Sequence, residues 1–174
     1  YTYTGYPMIR EMKARIANGG IGSVRNVSVS YRQGWLSDSI ENEGQKQALW
    51  RTNPELCGAG ALGDIGSHAE QLARFVTSQS IQSVRGDVHS VVKDRRVDDH
   101  ASIQTKMSGG VIGDILVSQV STGERNNVEI KVYGDKGALT WSHAEPDVLT
   151  SLDQDGTEHR SHCAVNRVPS GHPA

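Results

Sequence analysis

Beyond residue 80 the chain reads as one apolar or alternating run after another, over 81–92, 99–107, 111–121, 127–133, 137–143, 147–152 and 157–163. Ser108-Gly109-Gly110, Gly134-Asp135-Lys136-Gly137 and Asp153-Gln154-Asp155-Gly156 supply the glycines and short polar side chains that tight turns need. A connection of a few residues joins antiparallel strands, because a parallel pair needs a crossover of a dozen residues or more. This half of the chain is therefore expected to form a mostly antiparallel meander.

Two segments of helical period lie ahead of it. Pro7 suits a first helical turn, Ile9, Met12 and Ile16 share one face, and Asn18-Gly19-Gly20 stops the run, which predicts a helix over 7–18. From Ile21 the period falls to two. Val24, Val27, Val29 and Tyr31 roughly alternate with polar residues, giving a strand that ends near Gln33-Gly34-Trp35. Residues 34–60 are polar and without rhythm, a long loop of the kind that often carries function. Ile65, Ala69, Leu72, Ala73, Phe75 and Val76 then predict a second helix over 64–77. The expected architecture is α+β, a mostly antiparallel open β-sheet with helices packed on one face, in a single domain over 1–174.

Composition excludes several partners. Of the 174 residues, 36% are hydrophobic and 22% charged, ordinary for a globular domain with its own core. No apolar run approaches the ~18 residues that would cross a membrane. Eighteen basic against twenty acidic residues leave a formal charge of -2 with no basic block, so neither nucleic acid nor an anionic lipid surface is expected. Cys57 and Cys163 are far apart and lack CxxC spacing, which argues against a zinc knuckle or a disulfide framework and fits a reducing cytoplasm. The opening Tyr1–Pro7 shows no signal-peptide pattern, and the chain is expected to be a piece of a longer protein.

Gly58, Gly60 and Gly63 spell G-x-G-x-x-G. A dinucleotide loop needs a strand running into the first glycine and a helix N-terminus free to receive the pyrophosphate. Asn53 and Pro54 stand where the strand would be, and Asp64 would put a carboxylate where the pyrophosphate belongs. The triplet is therefore not read as a cofactor fingerprint. What remains is Asp64 and His68 at i and i+4, on one helix face about 6 Å apart along the axis. The helix dipole would favour the ionised Asp64 and lower the proton affinity of His68, and a neutral imidazole beside an anion suits proton exchange with a hydroxyl. Spacing alone leaves the alternative open: Asp64 as a helix cap and His68 as an interior histidine.

The stretch from Trp50 to Phe75, WRTNPELCGAGALGDIGSHAEQLARF, with DDHASI at 98–103, VEIKVYGDKGALTW at 128–141 and GHP at 171–173, resembles the C-terminal domain of the Gfo/Idh/MocA oxidoreductases, the glucose-fructose oxidoreductase and inositol dehydrogenase family. The likeness covers nearly the whole chain in order. It implies a longer enzyme whose N-terminal Rossmann domain binds NAD or NADP. The present chain would then supply the substrate site and the oligomer contact. The family's Asp-x-x-x-His falls on Asp64 and His68, which implies His68 as acid/base and Asp64 as its partner or as a ligand of substrate hydroxyls. The family's true glycine fingerprint, its Glu-Lys-Pro segment with the catalytic lysine, and the helix after Gly-His-Pro do not occur here. Alone, the chain is expected to be inactive.

The resemblance also places Trp50 and Arg51 beside the substrate cleft, where an indole and a guanidinium suit a sugar or polyol ring. Tyr6, Gln33 and Trp35 are candidates for the same cleft, and His172 matches the family's Gly-His-Pro. The remaining histidines, His89, His100, His143, His159 and His162, are assigned surface or packing roles. A sugar or polyol dehydrogenase is the leading reading. Metal-assisted hydrolysis through Asp64 and His68 lacks a third ligand, so no metal is expected. A non-catalytic binding or assembly module is the other alternative. Homo-oligomer formation through the open sheet face is expected, since Val117, Val128, Ile130 and Val132 include an alternate set that needs cover.

Overall fold

A computed structural model describes residues 1–163, so the candidate His172 lies outside the described residues. Helix α1 (Pro7–Ala17) begins on Pro7 and buries Met8, Ile9 and Met12. Strand β1 (Val24–Arg32) buries Val27, Val29 and Tyr31 in strict alternation. Residues 34–60, expected as a loop, instead hold a 3-10 turn over Ile40–Glu43 and two short helices, α2 (Lys46–Arg51) and α3 (Pro54–Cys57). Their starts are capped by side chains: Gln45 accepts from the Ala48 N–H, and Asn53 accepts from Glu55 N–H with Pro54 next to it. Helices this short bury too little to leave an apolar period, so the pattern missed them. Helix α4 (Ser67–Thr77) follows and buries Ala69, Leu72, Ala73 and Val76, one face by spacing. Leu72 is fully enclosed, and burying such a side chain stabilises by about 2 kcal/mol.

Strands β2 (Ile81–His89), β3 (His100–Met107), β4 (Ile112–Ser118), β5 (Asn127–Gly134), β6 (Gly137–Ser142), β7 (Val148–Asp153) and β8 (Glu158–His162) complete one sheet in the order β2-β3-β4-β1-β5-β6-β7-β8. Its pairs are antiparallel except β1 with β4. The sheet is thus mostly antiparallel, but the expected meander is broken once. β4 and β5 do not pair, because β1 lies between them, with Val29 opposite Ile115 on one side and Ile130 on the other. β4 stops at Ser118, and the segment after it passes over the end of β1, where Gln33 N–H donates to Ser118 O (2.8 Å) and Ser121 N–H to Gln33 O (2.9 Å). That crossing gathers the ends of β1 and β4 at one place, above which the site is built.

Helices α1 and α4 cover one face, on which Val117, Val128, Ile130 and Val132 are all buried. These four residues share one parity and lie beneath the helices, so they do not call for a partner. The opposite face carries Ser28, Ser30, Arg32, Asp114, Glu129 and Lys131 around a shallow depression of about 390 Å³. That face is mainly polar with both signs of charge, and it also carries Leu116 and the exposed Ile112. At the edge, β2 runs past the reach of the helices and leaves Val84 and Val88 exposed.

A buried ionic cluster anchors the segment leading into α2. The Arg95 guanidinium, fully enclosed, donates to both carboxylate oxygens of Glu41 (3.0 Å each), to Asp99 Oδ2 (3.2 Å) and to the carbonyls of Leu36 (2.7 Å) and Asp38 (3.0 Å). Asp99 also accepts from the backbone N–H groups of Val91 and Val92. A charge taken out of water is tolerated only with partners of this number.

Candidate active site

The glycine triplet is explained by Asp98. Its carboxylate accepts from Gly60 N–H (2.8 Å) and Leu62 N–H (2.6 Å), and its carbonyl accepts from Ala61 N–H (2.8 Å). A Cβ on Gly60 would stand 1.8 Å from the Asp98 carbonyl oxygen, so only glycine fits. The N–H groups that could have received a pyrophosphate are held by an anion of the same chain. The loop therefore does not fit a dinucleotide phosphate.

Asp64 does not stand in the first turn of α4 as the spacing predicts. It sits in a single π-turn over Leu62–Gly66, with α4 beginning only at Ser67. Such turns insert an extra residue per turn and often mark functional sites. The π-turn and α4 bring Asp64 and His68 to a cavity of about 400 Å³ lined also by Tyr31, Gln33, Trp35, Gln45, Gln47, Arg51 and Ile65. A second cavity, about 230 Å³, shares Arg51 and Asp64 with it and is lined by Trp50, Cys57, Ala59, Gly60, Gly63 and Gln119.

Within the site Asp64 is paired with Arg51 rather than with His68. Its Oδ2 accepts from Arg51 Nε (3.1 Å) and from the buried Gln119 Nε2 (2.9 Å). The Arg51 guanidinium lies 4.4 Å from the ring centre of Trp50 and 5.9 Å from that of Trp35. Gln47 Oε1 accepts from Arg51 and from the Trp50 indole N–H. His68 Nδ1 is buried without a hydrogen-bond partner among the described residues, and its ring meets those of Tyr1 and Tyr3 edge-on, at 5.1 and 5.7 Å. Burial pushes the His68 pKa below its ordinary value, against the raising effect of Asp64. The lowered value favours the neutral imidazole at pH 7, and burial is its main cause.

Gln33 has no spare hydrogen-bonding capacity. Its carbonyl accepts from Trp35 Nε1 (3.0 Å) and Gln119 Nε2 (3.4 Å), while its amide donates to Asn126 Oδ1 (2.8 Å) and Tyr31 Oη (3.3 Å). Tyr31 also accepts from Tyr3 and donates to Asn126. Enclosure, together with the Tyr3 hydroxyl, raises its pKa far above the ordinary phenol value. Gln33 and Tyr31 thus form a rigid floor.

Of the residues proposed from sequence, the first cavity brings together Asp64, His68, Gln33, Trp35 and Arg51, while Trp50 lines only the second. Tyr6 points elsewhere: its hydroxyl bonds His143 Nε2 (3.0 Å), and it packs on Trp141 and Tyr3. His143 Nδ1 lies 3.0 Å from the Asn126 carbonyl, which can only accept, so Nε2 takes the Tyr6 proton and His143 has a packing role. Sequence reasoning did not find Gln45, Gln47, Asp98, Gln119 or Asn126, whose roles rest on contacts across the chain. Only the DDHASI resemblance touched one of them. Among the described residues no three His, Cys, Asp or Glu side chains cluster to hold a metal, and no helix is long and apolar enough to cross a membrane.

Residues 9–140 match the family model of the GFO/IDH/MocA C-terminal domain. The chain belongs to that family. It is 27% identical over 156 residues to the uncharacterized oxidoreductase YfiI of Bacillus subtilis, covering 86% of this chain and 39% of that protein. It is 22% identical over 196 residues to levoglucosan dehydrogenase of Pseudarthrobacter phenanthrenivorans, covering 99% and 49%. The chain therefore spans about half the length, or less, of these curated relatives. An inositol dehydrogenase homolog from Azotobacter vinelandii, solved with NAD+, superposes with a TM-score of 0.87 at 28% identity, over 99% of this chain and 47% of that one. Its complex with NADH and myo-inositol gives 0.82 at 26% identity, over 99% and 46%. Among the proteins matched are levoglucosan dehydrogenase, solved with NADH and levoglucosan, and an NADP+-dependent D-xylose 1-dehydrogenase of Haloarcula marismortui.

Proposed function

We propose that the chain is the substrate-binding half of a nicotinamide-dependent oxidoreductase that acts on an uncharged sugar, polyol or related hydroxy compound. The observation that supports this reading is the charge balance of the first cavity. Arg51, the only cation among its lining residues, is already paired with Asp64, and His68 is neutral, so the site has nothing left to offset a phosphate or a carboxylate. Its remaining capacity is that of a hydroxyl binder: Asp64 Oδ1, the imidazole, glutamine amides and the indole face of Trp35.

His68 is assigned as acid/base. With Nδ1 buried, Nε2 is the nitrogen left to exchange a proton with a hydroxyl placed in the cavity, and a neutral imidazole at pH 7 can accept that proton. Asp64 orients a neighbouring hydroxyl and stabilises the imidazolium that forms. The dinucleotide, NAD or NADP, would supply the hydride acceptor, held by a different part of a longer protein because Asp98 occupies the glycine loop. On this reading the isolated chain is inactive, and a cytoplasmic setting follows from its cysteine usage. Self-association through the open face remains part of the proposal on geometry alone, since none of the described residues covers it; light scattering at high protein concentration tests it, and a clean monomer would refute it.

One observation favours a second reading, a non-catalytic binding module. Among the described residues His68 Nδ1 lacks the acceptor that usually orients a catalytic imidazole. The test is His68→Ala in the enzyme that contains the cofactor-binding half. The catalytic reading expects kcat to fall by roughly 10² to 10⁴ with dinucleotide affinity unchanged. Normal turnover by that variant would leave the module reading in place.

A further inference from the structure

The hydrogen bonds to Asp64 are asymmetric. Those given by described residues both fall on Oδ2, from Arg51 Nε and Gln119 Nε2. The two donors differ in how firmly they are held. Arg51 ends the exposed helix α2, whereas Gln119 is 2% exposed and fixed through its own backbone, donating to the Asp99 carbonyl (2.9 Å) and accepting from Leu36 N–H (3.1 Å). Its side-chain oxygen cannot bond a carboxylate, so the amide must face Asp64 with its nitrogen, and Gln33 Oε1 holds the same orientation at 3.4 Å.

Resting on the function proposed above, we infer that Gln119 is the positioning residue of the site. It pins Oδ2 so that Asp64 presents Oδ1 to the cavity as a fixed hydroxyl acceptor. Neither the glycine loop nor the Asp-x-x-x-His spacing points to it. Gln119 lines the second cavity but not the first, so on a substrate held in the first it acts through Asp64.

Gln119→Met keeps length and removes the donor. In the enzyme with its cofactor half, it is expected to lower kcat/KM for the hydroxy substrate by about 10- to 100-fold and leave the dinucleotide KM unchanged, the size of losing one oriented polar contact. In an Asp64→Ala background the same substitution should cost nothing more. Gln119→Glu guards against a merely unfolded variant. Two carboxylates in contact share a proton at low pH, and that proton restores a donor to Asp64, so activity relative to the parent should recover as pH falls. Additive losses in the double variant, or a Gln119→Glu ratio flat with pH, would overturn the assignment.

A second readout does not depend on the reaction. Asp64 acts on His68 electrostatically, and Arg51 and the tyrosine hydroxyls are the other ionisable groups packed around the pair. Removing the amide that faces the carboxylate should move the His68 NMR titration midpoint upward in Gln119→Met, and the shift should vanish in Asp64→Ala. An unmoved midpoint overturns the positioning role even if no substrate is ever turned over. A moved midpoint in a protein that oxidises no polyol overturns the proposed function instead.

Discussion

Asp98→Ala should destabilise the fold and loosen the site together. The carboxylate receives two backbone N–H groups at 2.8 and 2.6 Å, and hydrogen bonds to an ionised acceptor contribute about 1.5 to 3 kcal/mol each. Asp98 is half-buried, which places both at the lower end. Alanine also leaves the buried Gly60 N–H without its acceptor. The expected loss is about 3 kcal/mol, or a fall in Tm of roughly 6 to 12 °C for a domain of this size. Asp98→Asn retains one acceptor oxygen and should lose about half as much. Glu55→Ala is the control, because its ion pair with Arg96 is exposed on both sides and should contribute nothing measurable. Calorimetry and urea unfolding read all three. A loss below about 0.5 kcal/mol in Asp98→Ala, well under the contribution of a single such bond, would refute the assignment of the glycine loop to this anion.

Arg95→Met leaves Glu41 and Asp99 without their shared cation, and should cost about 3 to 5 kcal/mol in urea unfolding; a variant as stable as the parent would show that the cluster is dispensable. The chain by itself should bind neither NAD nor NADP, and micromolar heats with either in titration calorimetry would contradict the account of Gly60 and Asp98. His68 titrates lower folded than unfolded, so its contribution to stability is complete above about pH 6.5 and is lost as pH falls from there through the lowered value. His68→Gln should flatten the dependence of Tm on pH in that window, and identical slopes would count against a lowered His68 pKa.

The parts legible in sequence were those with local causes. Alternation in Val27, Val29 and Tyr31 and the i, i+3, i+4 spacing of Ala69, Leu72, Ala73 and Val76 come from one element facing one core, and both reappear as buried faces. The place of β1 between β4 and β5 was not legible, because no residue of a strand states which neighbour it will take. The same limit applied to Val117, Val128, Ile130 and Val132. Period alone gives their shared parity but not the side on which the helices pack. Asp64 and His68 stood out by their i, i+4 spacing and Arg51 through resemblance, while Asp98 and Gln119, one and three strands further along the chain, act through contacts that only the folded chain creates.

The loop from Val92 to Asp99 organises both walls of the site. Arg95, held by Asp99, fixes the backbone at Leu36 and Asp38 ahead of α2, and Asp98 fixes Gly60, Ala61 and Leu62 after α3. The exposed stretch between these anchors carries Gln45, Gln47, Trp50 and Arg51 to the two cavities. Its inward tie includes Arg51 to Asp64, beside the buried Ala48. Rigid anchors with a lightly held middle allow the wall to vary in sequence without disturbing Asp64 and His68, which the π-turn and α4 hold against the sheet. On the proposed function, the chemistry would fall to the core-facing side of the cavity, and discrimination among hydroxy substrates to the α2–α3 side. Substitutions at Gln45 or Gln47 should therefore change KM more than kcat, and steady-state kinetics in which kcat alone responds would reverse that division.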